Sequence, residues 1–171
     1  MLWETSPAAT ELEERVTAWL RQLLDLPTEF IGSIQDSASA STLLAVVAAC
    51  EHATGGRFSR EGLAGGPPLV VYTSSEAHSS VEKAALIAGL GAANVRKIPL
   101  RVDGGMDPAK LAEAIARDRA ELRLPACIVA SFGSTGIGAI DPLREIGMIA
   151  QEEDIHLHVD AAWAGSALIL P

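Results

Sequence analysis

Ile155-His156-Leu157-His158-Val159-Asp160-Ala161-Ala162-Trp163-Ala164-Gly165 is the stretch on which the fold turns. Its first half is short and largely apolar and predicts a strand. A strand has a period of two, so His156, His158 and Asp160 share one side while Leu157 and Val159 share the other. Just upstream, Asp141-Pro142 opens a helix, with proline at a helix start. A helix that feeds an apolar strand ending on a carboxylate is one unit of an α/β protein.

The same unit repeats toward the amino terminus. Gly65-Gly66-Pro67-Pro68 breaks the chain, and Leu69-Val70-Val71-Tyr72 follows as a buried strand. Ser79 to Ala88 predicts a helix, Val95 to Leu100 a short strand, Asp107-Pro108 to Ala120 a helix, and Ala126 to Ser131 a strand. Gly89-Leu90-Gly91 closes a helix rather than opening a dinucleotide site, because it follows no strand and Asn94 stands where a third glycine would be needed. Alternation of this kind predicts right-handed βαβ crossovers and a mainly parallel sheet with flanking helices. Before residue 69, Ser39 to Ala53 predicts an Ala-rich buried helix stopped by Thr54-Gly55-Gly56. Thr10 to Leu24 predicts an amphipathic helix with Leu12, Val16, Trp19, Leu20 and Leu23 on one face and Thr10 with Glu13 as a capping box. Residues 1–31 are read as an N-terminal helical segment and 32–171 as the α/β domain.

Composition narrows the function. The 171 residues are 49% hydrophobic and only 4% aromatic, with 15 glycines, which suits tight packing of helices on a sheet. A formal charge of −9 opposes a polyanionic partner, so nucleic acid is not expected. Cys50 and Cys127 lie in apolar runs and are expected as buried free thiols. No apolar run reaches the roughly 18–20 residues that cross a bilayer, and Met1-Leu2-Trp3-Glu4 does not begin a signal peptide. The expectation is a cytoplasmic protein with no membrane partner.

In open parallel sheets, ligands sit outside the carboxyl ends of the strands. Thr73 to His78, Ser131 to Gly138 and Asp160 to Gly165 are therefore the segments that could carry chemistry. Ser37 to Thr42, at a loop-to-helix junction, is an anion site or an ordinary helix cap. His78 could face a bound ring, or cap a helix at the surface. Asp160 closes an apolar strand, where a bare carboxylate is expensive to bury. A pyridinium nitrogen would meet it and be held protonated; a metal shared with the histidines, or a turn-capping role, are the other readings.

Together these segments resemble the group II pyridoxal-phosphate-dependent decarboxylases, the family of the aromatic-amino-acid, tyrosine, histidine and glutamate enzymes. The carriers, in family order, are Ser6 to Glu13, Gln35 to Thr42, Ala77-His78-Ser79-Ser80-Val81-Glu82-Lys83-Ala84, Ser131 to Gly136, and Asp154 to Ala167. The aromatic-amino-acid branch is the most similar. The resemblance implies part of the large cofactor-binding domain of the fold type I transferases, with pyridoxal 5'-phosphate as cofactor. It implies that Ala38 and Ser39 hold the phosphate, that His78 and Ala162 face the two sides of the ring, that Asp160 pairs with the ring nitrogen, and that Thr135 lies near the ring. His158 stands behind Asp160. It further implies carboxy-lyase chemistry, an amino-acid substrate and a homo-oligomer. Asp36 replaces a glycine usual beside the phosphate. The family's imine-forming lysine follows Asn-x-His further along, whereas Lys83, Lys97 and Lys110 lie in no such context. The chain alone is accordingly expected to be an inactive piece with weak cofactor affinity, the alternative being a non-catalytic folding unit or interaction module.

Overall fold

Leu69–Ser74 (β1), Val95–Ile98 (β2), Leu124–Ser131 (β3) and His156–Asp160 (β4) form one sheet in the order β2-β1-β3-β4, with every neighbouring pair parallel and with the two central strands, β1 and β3, buried. The computed structural model describes residues 3–170. Helices at Pro7–Leu23 (α1), Ala38–Ala53 (α2) and Arg57–Glu61 (α3) precede the sheet; Ser80–Ile87 (α4), Pro108–Ala120 (α5) and Leu143–Glu152 (α6) connect its strands. The chain steps from β1 outward to β2, then crosses back past β1 to β3. The strand order therefore reverses between β1 and β3, and the carboxyl ends there open into a crevice.

Period two sorts the core into two layers. Leu69 and Val71 of β1 and Val129 of β3 pack with Val46, Ala49 and Cys50 of α2 and with Val81, Ala84 and Ala85 of α4. Val70, Tyr72, Ile128 and Ala130 point the other way, onto Leu111 and Ile115 of α5 and Ile146 and Ala150 of α6. Pro125 interrupts this pattern. Proline has no N–H for the ladder, and the register slips by one residue after it, so consecutive Ala126 and Cys127 both face the α2 layer. Tyr72 brings a hydroxyl into the other layer, where it donates to Asp118 Oδ2 at 2.9 Å. Burial and that carboxylate push the phenol pKa up. Arg96 Nη2, 2.6 Å from Asp118 Oδ1, supplies the opposite charge that a buried carboxylate requires.

The compact units are Met1–Asp36 with Ser166–Pro171, and Ser37–Gly165. In the first, α1 starts at Pro7 rather than at Thr10, because proline's fixed φ and missing N–H suit the opening helical position. The Thr10–Glu13 capping box accordingly does not form. Thr10 Oγ1 donates to the Ser6 carbonyl at 2.9 Å, and Glu13 instead accepts from the Ile34 N–H at 2.6 Å, which lowers its pKa. The apolar row of α1 is present as read, but Leu12, Trp19, Leu20 and Leu23 are more than half exposed.

In the second unit, β2 stops at Ile98 because Pro99 follows, and Leu100 makes only an isolated bridge to Met106. The short α3 was not foreseen; Glu51 holds it by accepting from the N–H and hydroxyl of Ser59. α4 ends as expected, with Gly89 at φ +80° and the Leu90 N–H returning to the Ala85 carbonyl. Cys50 and Cys127 are buried free thiols, and burial raises the pKa of Cys50 to about 11. Among the described residues no helix is long and apolar enough to cross a membrane.

Candidate functional site

Three strand ends and one helix start converge on a cavity of about 160 Å³ within the Ser37–Gly165 unit. After β1, Thr73 Oγ1 donates to the Val129 carbonyl and ties the strand to β3. The chain then turns and enters α4, with His78 on the cavity wall. The ring serves the helix too: its Nδ1 lies 3.2 Å from the Ser80 N–H and 3.0 Å from the Ser80 hydroxyl. The two readings of His78, cap and ring-facing group, are therefore compatible.

After β3 the backbone is pinned. Ser131 donates its N–H to Asp141 Oδ2 at 2.7 Å and accepts the Asp141 N–H at 2.9 Å, while the other carboxylate oxygen accepts the Met106 N–H at 2.7 Å. Asp141 is 2% exposed; burial raises its pKa against the two N–H groups that favour the anion. It therefore clamps a loop and does not cap α6, whose opening it was read as marking. Ser134 Oγ accepts the Ala139 N–H, and the Gly133 and Ser134 N–H groups both return to the Ala139 carbonyl. This tight loop brings Ser131, Gly133, Ser134 and Thr135 to the cavity. Gly133 holds φ +88°, and a Cβ there would lie 2.6 Å from Ala164 Cβ and 2.7 Å from Trp163 Cε3.

After β4, Asp160, Ala162 and Trp163 complete the wall. Asp160 Oδ1 accepts the Ala162 N–H at 3.2 Å, and among the described residues no lysine or arginine pairs with its carboxylate. Behind it, burial lowers the pKa of His158, partly offset by Asp160, and burial lowers that of His156 with help from His52. The metal reading of this strand finds no support, since no cluster of three possible ligands exists among the described residues. Ala38 reaches the cavity from the start of α2, where Ser37 Oγ accepts the Ala40 N–H as an N-cap. Ser39, one residue on, is exposed and does not line the cavity.

Five of the six residues read as site residues thus share one cavity: Ala38, His78, Thr135, Asp160 and Ala162. Sequence reasoning missed Trp163 and Gly133 as wall residues. Their signal was the Ser131-Phe132-Gly133-Ser134-Thr135-Gly136 loop, whose glycine marks a close approach, but its neighbour across the sheet could not be read from spacing. The arrangement offers a carboxylate that no lysine or arginine pairs with among the described residues, a flat imidazole, methyl groups, hydroxyls and a helix start. These suit a flat heteroaromatic ring with a basic nitrogen and an anionic arm.

The family described as "Pyridoxal-dependent decarboxylase conserved domain" matches residues 1–171. The chain is 42% identical over 181 residues to an aromatic-L-amino-acid decarboxylase of Sus scrofa, covering 99% of this chain and 37% of that protein. It is 40% identical over 177 residues to tryptophan decarboxylase 2 of Oryza sativa subsp. japonica, covering 99% and 35%. The crystal structure of Catharanthus roseus tryptophan decarboxylase in complex with L-tryptophan superposes with a TM-score of 0.90 at 39% identity, covering 99% of this chain and 37% of that one. The chain spans little more than a third of the length of these relatives. Its parallel sheet with flanking helices is that of the fold type I decarboxylases.

Proposed function

The chain belongs to the pyridoxal-dependent decarboxylase family, and on that premise we propose that its cavity holds pyridoxal 5'-phosphate for the decarboxylation of an aromatic L-amino acid. The carrying observation is that His78, far in sequence from Asp160 and Ala162, lines one cavity with them. The donor set fits the cofactor. Asp160 keeps a carboxylate for the ring nitrogen, His78 and Ala162 provide surfaces for the two ring faces, and Thr135 offers a hydroxyl at the rim. The start of α2, with Ala38 in the cavity and Ser39 beside it, is assigned to the phosphate, which a helix amino terminus favours.

When bound, the cofactor supplies an electron sink for the bond pair released as carbon dioxide departs. The part of this chain is to tune and position. The Asp160 carboxylate favours a proton on the nitrogen it faces. Asp141, by holding Ser131, fixes the loop that carries Thr135. Glycines and alanines at the wall allow a flat ring to approach the backbone closely.

We expect this chain alone to bind the cofactor non-covalently and without turnover, a reading supported by a cavity lining that holds no lysine among the described residues. The relatives' names support an aromatic amino acid as substrate. The exposed apolar row of α1 supports a homo-oligomer.

Titration with pyridoxal phosphate, followed by induced circular dichroism, tests the reading. Asp160→Ala should weaken binding about ten- to hundredfold, the worth of a hydrogen bond to a charged group, and His78→Ala should weaken it less. Equal affinity in wild type and Asp160→Ala would overturn the assignment. So would borohydride-fixed label on Lys83, Lys97 or Lys110 for the non-covalent mode.

A further inference from the structure

We propose that Ser80 is a positioning residue that fixes the neutral His78 ring as the Nε2–H tautomer, so that the imidazole presents a proton donor rather than a lone pair to a ligand. The inference rests on the cavity being the ligand site, and it concerns this chain's own His78 ring and Ser80 backbone N–H.

A neutral imidazole carries one proton, on either nitrogen. The Ser80 backbone N–H can only donate, and it points at His78 Nδ1 from 3.2 Å. Nδ1 must therefore accept. The Ser80 hydroxyl, 3.0 Å from the same nitrogen, could serve either tautomer by rotation, and beside an accepting Nδ1 it donates as well. A proton on Nδ1 would instead face a backbone N–H head-on and leave that donor without a partner. Ser80 is only 3% exposed, so water does not readily replace the lost bond.

The place in the fold explains why this bond exists. Ser80 is the first residue of α4, where a helix leaves its N–H groups without intrahelical acceptors. Ser79, the formal cap, makes no side-chain cap bond. His78 fills that gap with one nitrogen. The remaining proton sits on Nε2, which has no protein partner among the described residues, and the ring lies on the wall shared with Asp160 and Ala162. The wall then offers complementary groups: an acceptor at Asp160 and a donor at His78. A ligand group that bonds to His78 Nε2 must therefore be an acceptor, whereas one that bonds to the Asp160 carboxylate must be a donor.

The test is long-range proton–nitrogen NMR on the uniformly nitrogen-15-labelled chain at pH 8.5, well above the ordinary histidine pKa of about 6.5. The expected result is a protonated Nε2 and a bare Nδ1, with this tautomer favoured over the other by about tenfold or more relative to the urea-unfolded chain, the scale set by a buried donor left unmade. Ser80→Ala keeps the N–H and should keep most of that preference. Ser80→Pro removes the N–H, although proline disfavours the helical φ −60°, ψ −13° of the preceding Ser79; in a folded variant it should return the ratio to that of the unfolded chain. A proton found on Nδ1 in the folded wild type overturns the proposal, and so does an unchanged ratio in a folded Ser80→Pro chain. Should the proline variant fail to fold, the comparison of folded with unfolded wild type decides alone. The two readings fail separately: absence of pyridoxal phosphate binding removes the cofactor assignment, whereas binding to a chain with Nδ1–H removes only the tautomer.

Discussion

Gly133 carries two constraints at once, a left-handed backbone at φ +88° and the flank of Trp163 and Ala164 against its hydrogen. A methyl group meets both, so Gly133→Ala is expected to destabilise the fold by about 2 kcal/mol or more. Thermal melting should fall by roughly 4–8 °C, given about 2–4 °C per kcal/mol for a chain of this size. Gly55 is the control. It also has positive φ, at +58°, but nothing lies within 4 Å of a Cβ there, so Gly55→Ala should cost only the backbone strain of about 1 kcal/mol. Equal losses at the two positions would show that contact with Trp163 is unimportant. Trp163 itself is 71% exposed while still lining the cavity, so Gly133 shapes the wall through a residue that solvent reaches.

At the scale of elements, β4 couples the site to pH. Burial lowers the pKa of both His156 and His158, so the folded chain takes up their protons at lower pH than the unfolded chain does. In that window the unfolded state holds more protons, and stability rises with pH. The contribution is complete above the unfolded histidine pKa of about 6.5 and is lost as pH falls below it. The urea midpoint should therefore drop between pH 7.5 and 5.5, and the His156→Gln, His158→Gln double variant should flatten that drop; an unchanged slope would exclude these histidines as its source. Most elements could be read in the sequence because breakers stand between them: Pro67-Pro68 before β1, Gly89 after α4, Asp107-Pro108 before α5. The start of α1 differs from the reading because Thr10 and Glu13 satisfy a capping pattern locally, while Pro7 suits the opening helical position and the Ser6 carbonyl and Ile34 N–H are the partners they take. α3 escaped notice because one helical turn has no periodicity to detect, and it depends on Glu51, which belongs to another helix. Of the site, the strand-end segments were legible from topology, whereas Thr135 and Ala162 within them were singled out only by the family resemblance. The clamp at Asp141 was not, since its partners Met106 and Ser131 are adjacent only once the sheet has formed.

At the scale of the whole molecule, the apolar surface is unevenly placed. Trp19, Leu20 and Leu23 stand exposed along α1 beside the cluster Leu26, Phe30, Ile31 and Ile34, a density of apolar side chains that solution monomers seldom keep. Sedimentation should show association that rises with concentration. Leu20→Glu with Leu23→Glu should weaken it about tenfold or more, since each leucine withdrawn from water contributes roughly 1.5–3 kcal/mol. A wild-type chain that stays monomeric at all concentrations would contradict the homo-oligomer. The sheet adds a different consequence. Among the described residues it stops at β4, which bonds to β3 along one flank only. In a parallel edge strand, successive amides point alternately toward the neighbour and away from it. Deuterium should therefore enter β4 in a residue-by-residue alternation, fast then slow, while β1, enclosed on both flanks, exchanges slowly throughout.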